Sequence, residues 1–397
     1  MAQNMLVSVA KALVKGKLHV GKLSGFERFI LSQFGLPDRV TTMLAATNFE
    51  PYLIDPKFNY KLLAESTHAN IELFNRIKER FPFDLVMVPY WLGLMWMGVA
   101  ELGVKFKIDE GRVSYAVDYP LKGMGDVRAM APLTELSGYF KMAMDIHREV
   151  QRDQVLTFVC DGPWDLAMLL RGDQNLPKDF RIYKDYVETT DPARKERIRK
   201  YGDPDLWPAI MDLTTRIAIQ NFTLVREYGI NMMGATMVDQ FATEPVLGID
   251  DFTKYVLPYI QRALDALGGK VGMTYVVTSP QKFEKLLSHP TLGKTLALFG
   301  YTNYIFPTTP EGLTLPEYDE RMMELAARNK KAYMYLIHGK FIRDATEREL
   351  EDAVTRICQM ATGKRVGLTI NVPTVAPGTD LKKIDLILSS VEKYGRY

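Results

Sequence analysis

Val155-Leu-Thr-Phe-Val-Cys160-Asp-Gly-Pro-Trp164-Asp-Leu-Ala-Met-Leu-Leu170 is the stretch that decides the fold. Val155–Cys160 is an unbroken apolar and β-branched run, the signature of a buried strand. Asp161-Gly162-Pro163 ends it, and Trp164–Leu170 continues in a helical pattern. One strand handing over to one helix is the unit of a parallel α/β sheet. The same unit recurs along the chain. Strands are predicted at Thr42–Thr47, Phe83–Val88, Val155–Cys160, Met232–Val238, Val271–Val277, Tyr304–Phe306, Ala332–His338 and Val366–Val372. Helices are predicted at Tyr60–Arg80, Glu135–Arg152, Trp164–Leu170, Leu206–Tyr228, Asp250–Leu267, Pro280–Leu287, Pro316–Asn329, Thr346–Thr362 and Asp380–Tyr394. Eight strands in alternation with helices are the count of a (β/α)8 TIM barrel. A doubly wound open sheet would want a glycine-rich phosphate loop after an early strand, and neither G-x-G-x-x-G nor G-x-x-x-x-G-K-[ST] occurs.

Composition agrees with this reading. The 397 residues are 47% hydrophobic and 25% charged, an ordinary globular balance. The formal net charge of +2 argues against a nucleic-acid or other polyanion binder. Two cysteines exclude a disulfide scaffold and a zinc site of three or four thiolates. No apolar run reaches the roughly 18 residues of a membrane span, the longest being Leu85–Val99, broken by Pro89. The N-terminus carries Lys11, Lys15 and Lys17 without the apolar core of a signal peptide. A cytoplasmic enzyme is expected.

Three segments stand outside the bare barrel. Residues 1–40 read as an N-terminal helical extension, with helical spacing at Val7–Leu18 and Phe26–Phe34, packed on the barrel or on a second copy of the chain in a homodimer. The barrel then occupies 41–397. Within it, 104–120 reads as a hairpin: Val104, Phe106 and Ile108 alternate, Asp109-Glu110-Gly111 turns, and Val113, Tyr115 and Val117 alternate back. The 172–204 insertion is polar and clusters Arg194, Lys195, Arg197, Arg199 and Lys200, either a solvated helix face or a lid or docking edge.

Barrel chemistry sits at the carboxyl ends of the strands, which turns the strand reading into a list of candidates. Tyr90, Trp91 and Trp96 follow strand two, and Trp164 follows strand three. Asp239, Phe241 and Glu244 follow strand four, Tyr275 lies on strand five, His338 ends strand seven and Asn371 lies on strand eight. Trp91, Trp96, Trp164, Phe241 and Asn371 are expected to bind substrate, since rings offer large flat apolar area. Asp239, His338, Tyr90 and Tyr275 are the candidate catalytic groups. Asp239, Glu244 and His338 together could hold a metal, as oxygen and nitrogen donors suit zinc or a harder ion. Met232, Met233 and Met237 read as barrel filler. His19, His68, His147 and His289 fall on helices or surface turns. Cys358 reads as helix filler, and Cys160 has no adjacent histidine to make it a nucleophile.

From about Arg39 to Arg396 the order of motifs resembles the uroporphyrinogen decarboxylase superfamily. Phe83-Asp84, Gly98, Leu102-Gly103 and Val104-Lys105-Phe106 resemble its strand-two segment and hairpin. Gly162-Pro163-Trp164-Asp165-Leu166-Ala167 is similar to its Gly-Pro-Phe-Thr-Leu-Ala motif. Pro373–Tyr397 is similar to its closing segment. The resemblance implies a TIM barrel and two kinds of chemistry. In the porphyrinogen decarboxylases an aspartate after strand two holds the pyrrole nitrogens, and the corresponding residue here is Tyr90. Their arginine-rich propionate loop is replaced by Ala45-Ala46-Thr47-Asn48-Phe49-Glu50. Decarboxylation therefore lacks its parts.

The corrinoid-dependent methyltransferase branch is the better match. Thr243-Glu244-Pro245, Asp251-Phe252, Tyr255 and Leu257-Pro258-Tyr259 look like its segment after strand four. Its coenzyme M enzymes hold zinc with a His-x-Cys pair and a later cysteine. Met273-Thr274-Tyr275 stands at the first place, and Pro373–Pro377 contains no cysteine. The departure points away from a thiol acceptor. The resemblance thus implies methyl transfer from a methoxylated aromatic compound (O-demethylation) to the cobalt of a cobalamin carried by a separate corrinoid protein. Alternatives are another small methyl donor or acceptor, a decarboxylase-like protein, and a non-catalytic binder of a tetrapyrrole or corrinoid protein.

Overall fold

The computed structural model describes residues 25–33, 38–49, 51–86, 98–110, 112–151, 159–230, 232, 235–239, 242, 246–268, 271–274, 280–288, 298–301 and 313–397. Among these residues eight parallel strands lie in two arcs. The first arc, in spatial order, is β2 (Leu85–Val86), β1 (Thr41–Phe49), β10 (Leu368–Val375), β9 (Tyr333–Leu336) and β8 (Leu298–Tyr301). The second is β5 (Val159–Asp161), β6 (Thr236–Val238) and β7 (Gly272–Thr274). The last strand pairs with the first, Thr41 opposite Thr369 and Leu44 opposite Val372, as barrel closure requires. The remaining two strands, β3 (Lys105–Asp109) and β4 (Arg112–Asp118), form an antiparallel hairpin off the barrel. The fold is a TIM barrel.

Helices follow the strands. Helix α1 (Gly25–Gln33) lies on β1, β2 and β10. Its Arg28, together with Arg39, donates to Asp84, which also accepts the Thr42 N–H. Asp84 is nearly buried, so its charge is compensated by two guanidiniums rather than by water. Gly367 lies against the Ser32 carbonyl, where a Cβ would collide with backbone. Next come α2 (Tyr60–Glu65), α3 (Thr67–Arg80), α4 (Met124–Ala129), α5 (Gly138–Val150) and α6 (Pro163–Arg171). The 172–204 stretch is two helices, α7 (Asn175–Glu188) and α8 (Pro192–Tyr201), ahead of the long α9 (Leu206–Glu227). After β6 the chain enters α10 (Leu257–Ala266) through one α-turn and a π-turn, Phe252–Val256. The series ends with α11 (Pro280–Ser288), α12 (Leu315–Arg328), α13 (Gly339–Asp344), α14 (Glu347–Lys364) and α15 (Lys382–Tyr394).

Three expectations need correction. Tyr60–Arg80 is two helices, because Ser66 is extended and its hydroxyl accepts the Ala69 N–H as the cap of α3. The sixth barrel strand is Leu298–Tyr301, upstream of the expected Tyr304–Phe306, which lies outside the described residues. The 331–345 region adds α13 directly after β9, a short helix that apolar periodicity does not reveal. No helix among the described residues is long and apolar enough to cross a membrane.

Side-chain direction in the barrel follows from contacts. The Tyr335 hydroxyl donates to Asp319 of α12, so Tyr335 faces the helices. Alternation turns Met334 and Leu336 inward. Asn371 Nδ2 lies 3.5 Å from Met334 Sδ, which places Asn371 on the inner face too. The Cys160 sulfur accepts a hydrogen bond from Asn221 of α9, so its neighbour Asp161 points inward.

Candidate active site

The site is built on the carboxyl ends of β5 and β6. Asp161 is the last residue of β5, paired opposite Val238, and Asp239 follows β6 by one residue. Asp239 is fully buried and Asp161 nearly so, and neither forms an ion pair among the described residues. The turn between strand and helix creates the pocket for Asp239. Gly162 N–H donates to the Val238 carbonyl at 2.7 Å, tying the turn to β6. Asp239 Oδ1 then accepts the Asp165 N–H at 2.9 Å, at the positive end of α6. Oδ2 of Asp239 and Oδ2 of Asp161 have no hydrogen-bond partner among the described residues.

Burial raises the pKa of both carboxyls, because the anion loses its water. At Asp239 the N–H groups of Asp165 and Trp164 offset part of this, while the neighbouring Asp161 charge raises it further. The pair therefore keeps a proton at neutral pH. Such an arrangement can protonate a group whose negative charge develops beside it.

His338 caps α13 at the end of β9. Its Nδ1 accepts the Lys340 N–H at 3.2 Å, which assigns the ring proton to Nε2. Half-burial and then the Lys340 charge lower its pKa, so the imidazole is neutral at pH 7 and a hydrogen-bond donor rather than an acid. Asn371 lies on the adjacent β10, nearly buried, with Oδ1 unpartnered among the described residues.

The structure thus brings His338 and Asn371 onto neighbouring strands and sets Asp239 beside Asp161, in the other arc. Trp164 is elsewhere than expected. Its ring is fully buried edge-on against Phe180, 5.9 Å between centroids, in an aromatic cluster with Trp207, Tyr183 and Tyr255. It packs the helix layer instead of walling a substrate, because it lies on the side of α6 that faces α7 and α9. Tyr90, Trp91, Trp96, Phe241, Glu244 and Tyr275 lie outside the described residues. Asp161 is the functional candidate that residue reading passed over. Its signal was an acid at the end of an otherwise apolar strand.

The donors for a metal do not assemble among the described residues, where no three of His, Cys, Asp and Glu come together. Asp239 and His338 belong to different arcs, and one Asp239 oxygen is taken by backbone. Thiolate ligation does not fit either. Cys160 of β5 and Cys358 of α14 are both buried, and burial pushes their thiols upward, Cys358 to about 12.

A TIM barrel with buried acids at its carboxyl face defines a class of enzyme scaffold, and the comparisons narrow it. The family model described as uroporphyrinogen decarboxylase (URO-D) matches residues 58–394. The chain belongs to that family. Among solved structures it is similar to one named methyltransferase from Methanosarcina mazei, with a TM-score of 0.68 and 13% sequence identity, over 94% of this chain and 99% of that one.

Proposed function

We propose that the protein is a methyltransferase that takes the methyl group of a methoxylated aromatic compound and passes it to a corrinoid on a separate protein. The observation that carries the reading is the buried pair Asp161–Asp239 at the barrel's carboxyl end, with one oxygen of each unpartnered among the described residues. Support comes from the missing decarboxylase aspartate and arginine loop, from the lack of thiolates suited to a zinc-activated thiol, and from the methyltransferase name of the similar barrel.

Reduced cobalt, when presented, supplies the electron pair that takes the methyl carbon. The chain's own work is on the oxygen left behind. As the methyl–oxygen bond breaks, its electrons stay on the phenolic oxygen, which needs a proton. Asp239 gives that proton, held in place by the Asp165 N–H, and Asp161 keeps the pair protonated. The His338 Nε2–H and the Asn371 amide orient the ring substituents from the other arc.

Incubation with reduced corrinoid protein and a methoxybenzoate is expected to release the corresponding phenol. Failure with each of several methoxyarenes overturns the reading. Asp239→Asn is expected to lower turnover at least about 100-fold with the fold retained. Turnover by the unaltered protein should fall as pH rises through the pair's raised titration, since the proton is then lost. An unchanged rate in Asp239→Asn removes that residue from the mechanism.

A further inference from the structure

Helix α8 is, among the described residues, the one helix of eight or more residues that buries no side chain. Such a helix is held by its charges and caps rather than by a buried apolar face. Its sequence, PARKERIRKY, sets five cationic side chains against the single acid Glu196. Arg194 and Arg199 have acidic neighbours, Asp185 and Asp205, whereas Lys195, Arg197 and Lys200 form no ion pair among the described residues. The helix is nonetheless held firmly. Asp191 caps its start by accepting the Ala193 N–H. Lys195 and Arg199 sit over the Tyr186 ring.

Its place is fixed by α7. The carboxyl-terminal half of α7 is bound to the segment that leaves β6, through Lys184 to Asp251 at 2.7 Å and Tyr255 to Glu188 at 2.7 Å. That segment begins at the carboxyl end of β6, where Asp239 lies. α8 follows α7 there, and α9 starts there before running back toward the amino end of β6. α8 is therefore on the rim of the face that carries the acid pair. The same rim exposes Val187, Tyr201 and Val246, three of the six large apolar side chains exposed among the described residues, with Tyr201 at 76%.

We infer that α8 is the docking edge for an acidic protein surface, that of the protein bringing the methyl acceptor; this rests on the methyltransferase reading. The composition favours a protein over a nucleic acid. Arg and Tyr with flanking apolar residues are typical of protein interfaces. The basic strip is only about 15 Å long, on a chain whose net charge is +2.

The test compares two acceptors with a methoxybenzoate as donor: a cobalamin-loaded corrinoid protein, and free reduced cobalamin. The variant is Lys195→Glu/Arg197→Glu/Lys200→Glu, in which Arg197 and Lys200 are exposed and Lys195 lies partly covered over the Tyr186 ring. The KM for the corrinoid protein is expected to rise about tenfold or more, kcat to hold, and the salt dependence of the wild type to vanish. Turnover with free cobalamin stays unchanged. An unchanged KM for the corrinoid protein overturns the inference while leaving the methyltransferase reading intact. Direct binding of the corrinoid protein to wild type and variant decides the matter even if neither acceptor is methylated, an outcome that sinks the reading of the reaction alone. Equal binding by the two, or tighter capture of RNA or anionic vesicles than of the corrinoid protein, also overturns the inference.

Discussion

Gly162 has no room for a side chain. A Cβ there would lie 2.5 Å from the Asp239 carboxyl carbon and 2.6 Å from its Oδ1. The glycine lets the strand-end turn approach the acid, and the acid in turn accepts from the helix that the turn begins. Gly162→Ala is expected to cost about 1–3 kcal/mol by overpacking and to depress turnover, because the carboxyl must move to make space. Denaturant unfolding and the demethylation assay read the two effects, and a variant normal in both removes this role for Gly162. Asp239 was legible from sequence as an acid past a strand end. Asp161 was not, although it is adjacent to the same motif. A strand-end acid in a sequence looks like a cap or a loop anchor. Its role appears only when the register sets β5 beside β6 and leaves two carboxyls buried together. Trp164 misled for the converse reason, since helical position alone does not say which side of α6 faces the barrel.

At the level of elements, strands rich in β-branched residues and long amphipathic helices were readable because their periodicities are strong. α9 was placed to within a residue at each end. The failures lie where local hydrogen bonding competes with periodicity. The Ser66 hydroxyl ends one helix and starts another inside a single apolar pattern. The short β8 contains Gly300, which weakens a strand pattern. The link between α1 and the barrel was open between two surfaces, and Asp84 decides it. Asp84→Ala removes the acid that Arg28 and Arg39 share, both largely buried, and leaves Arg28 with Asp38 and Arg39 with Glu392. The expected cost is about 3 kcal/mol in denaturant unfolding, with faster amide exchange across 25–33. Wild-type exchange there would show that α1 is held by packing alone.

For the whole molecule, buried titratable groups set how stability depends on pH. Asp161, Asp239 and Asp319 have raised pKa values, that of Asp319 reaching about 7 because burial outweighs its Arg356 partner. An unfolded aspartate titrates near about 3.9, so above that pH the folded chain holds more protons. Their contribution is complete at low pH and is lost as pH rises through about 7 and beyond. His147 acts oppositely. Burial lowers it to about 4, so its contribution is present above its unfolded value of about 6.5 and lost as pH falls toward 4. Above about pH 7.5 the histidines are neutral both folded and unfolded, so from there to about pH 8.5 the acids dominate, and the melting temperature is expected to fall across that interval. The slope should be smaller in Asp161→Asn/Asp239→Asn, and a flat wild-type profile would count against neutral buried acids. The two cysteines carry a different consequence. With both native thiols enclosed and held protonated, the folded chain is silent toward maleimides and methanethiosulfonates. A cysteine introduced on the rim, for example Lys195→Cys, would be the sole reporter, so that a fluorophore or spin label could follow a partner's arrival without any background to subtract.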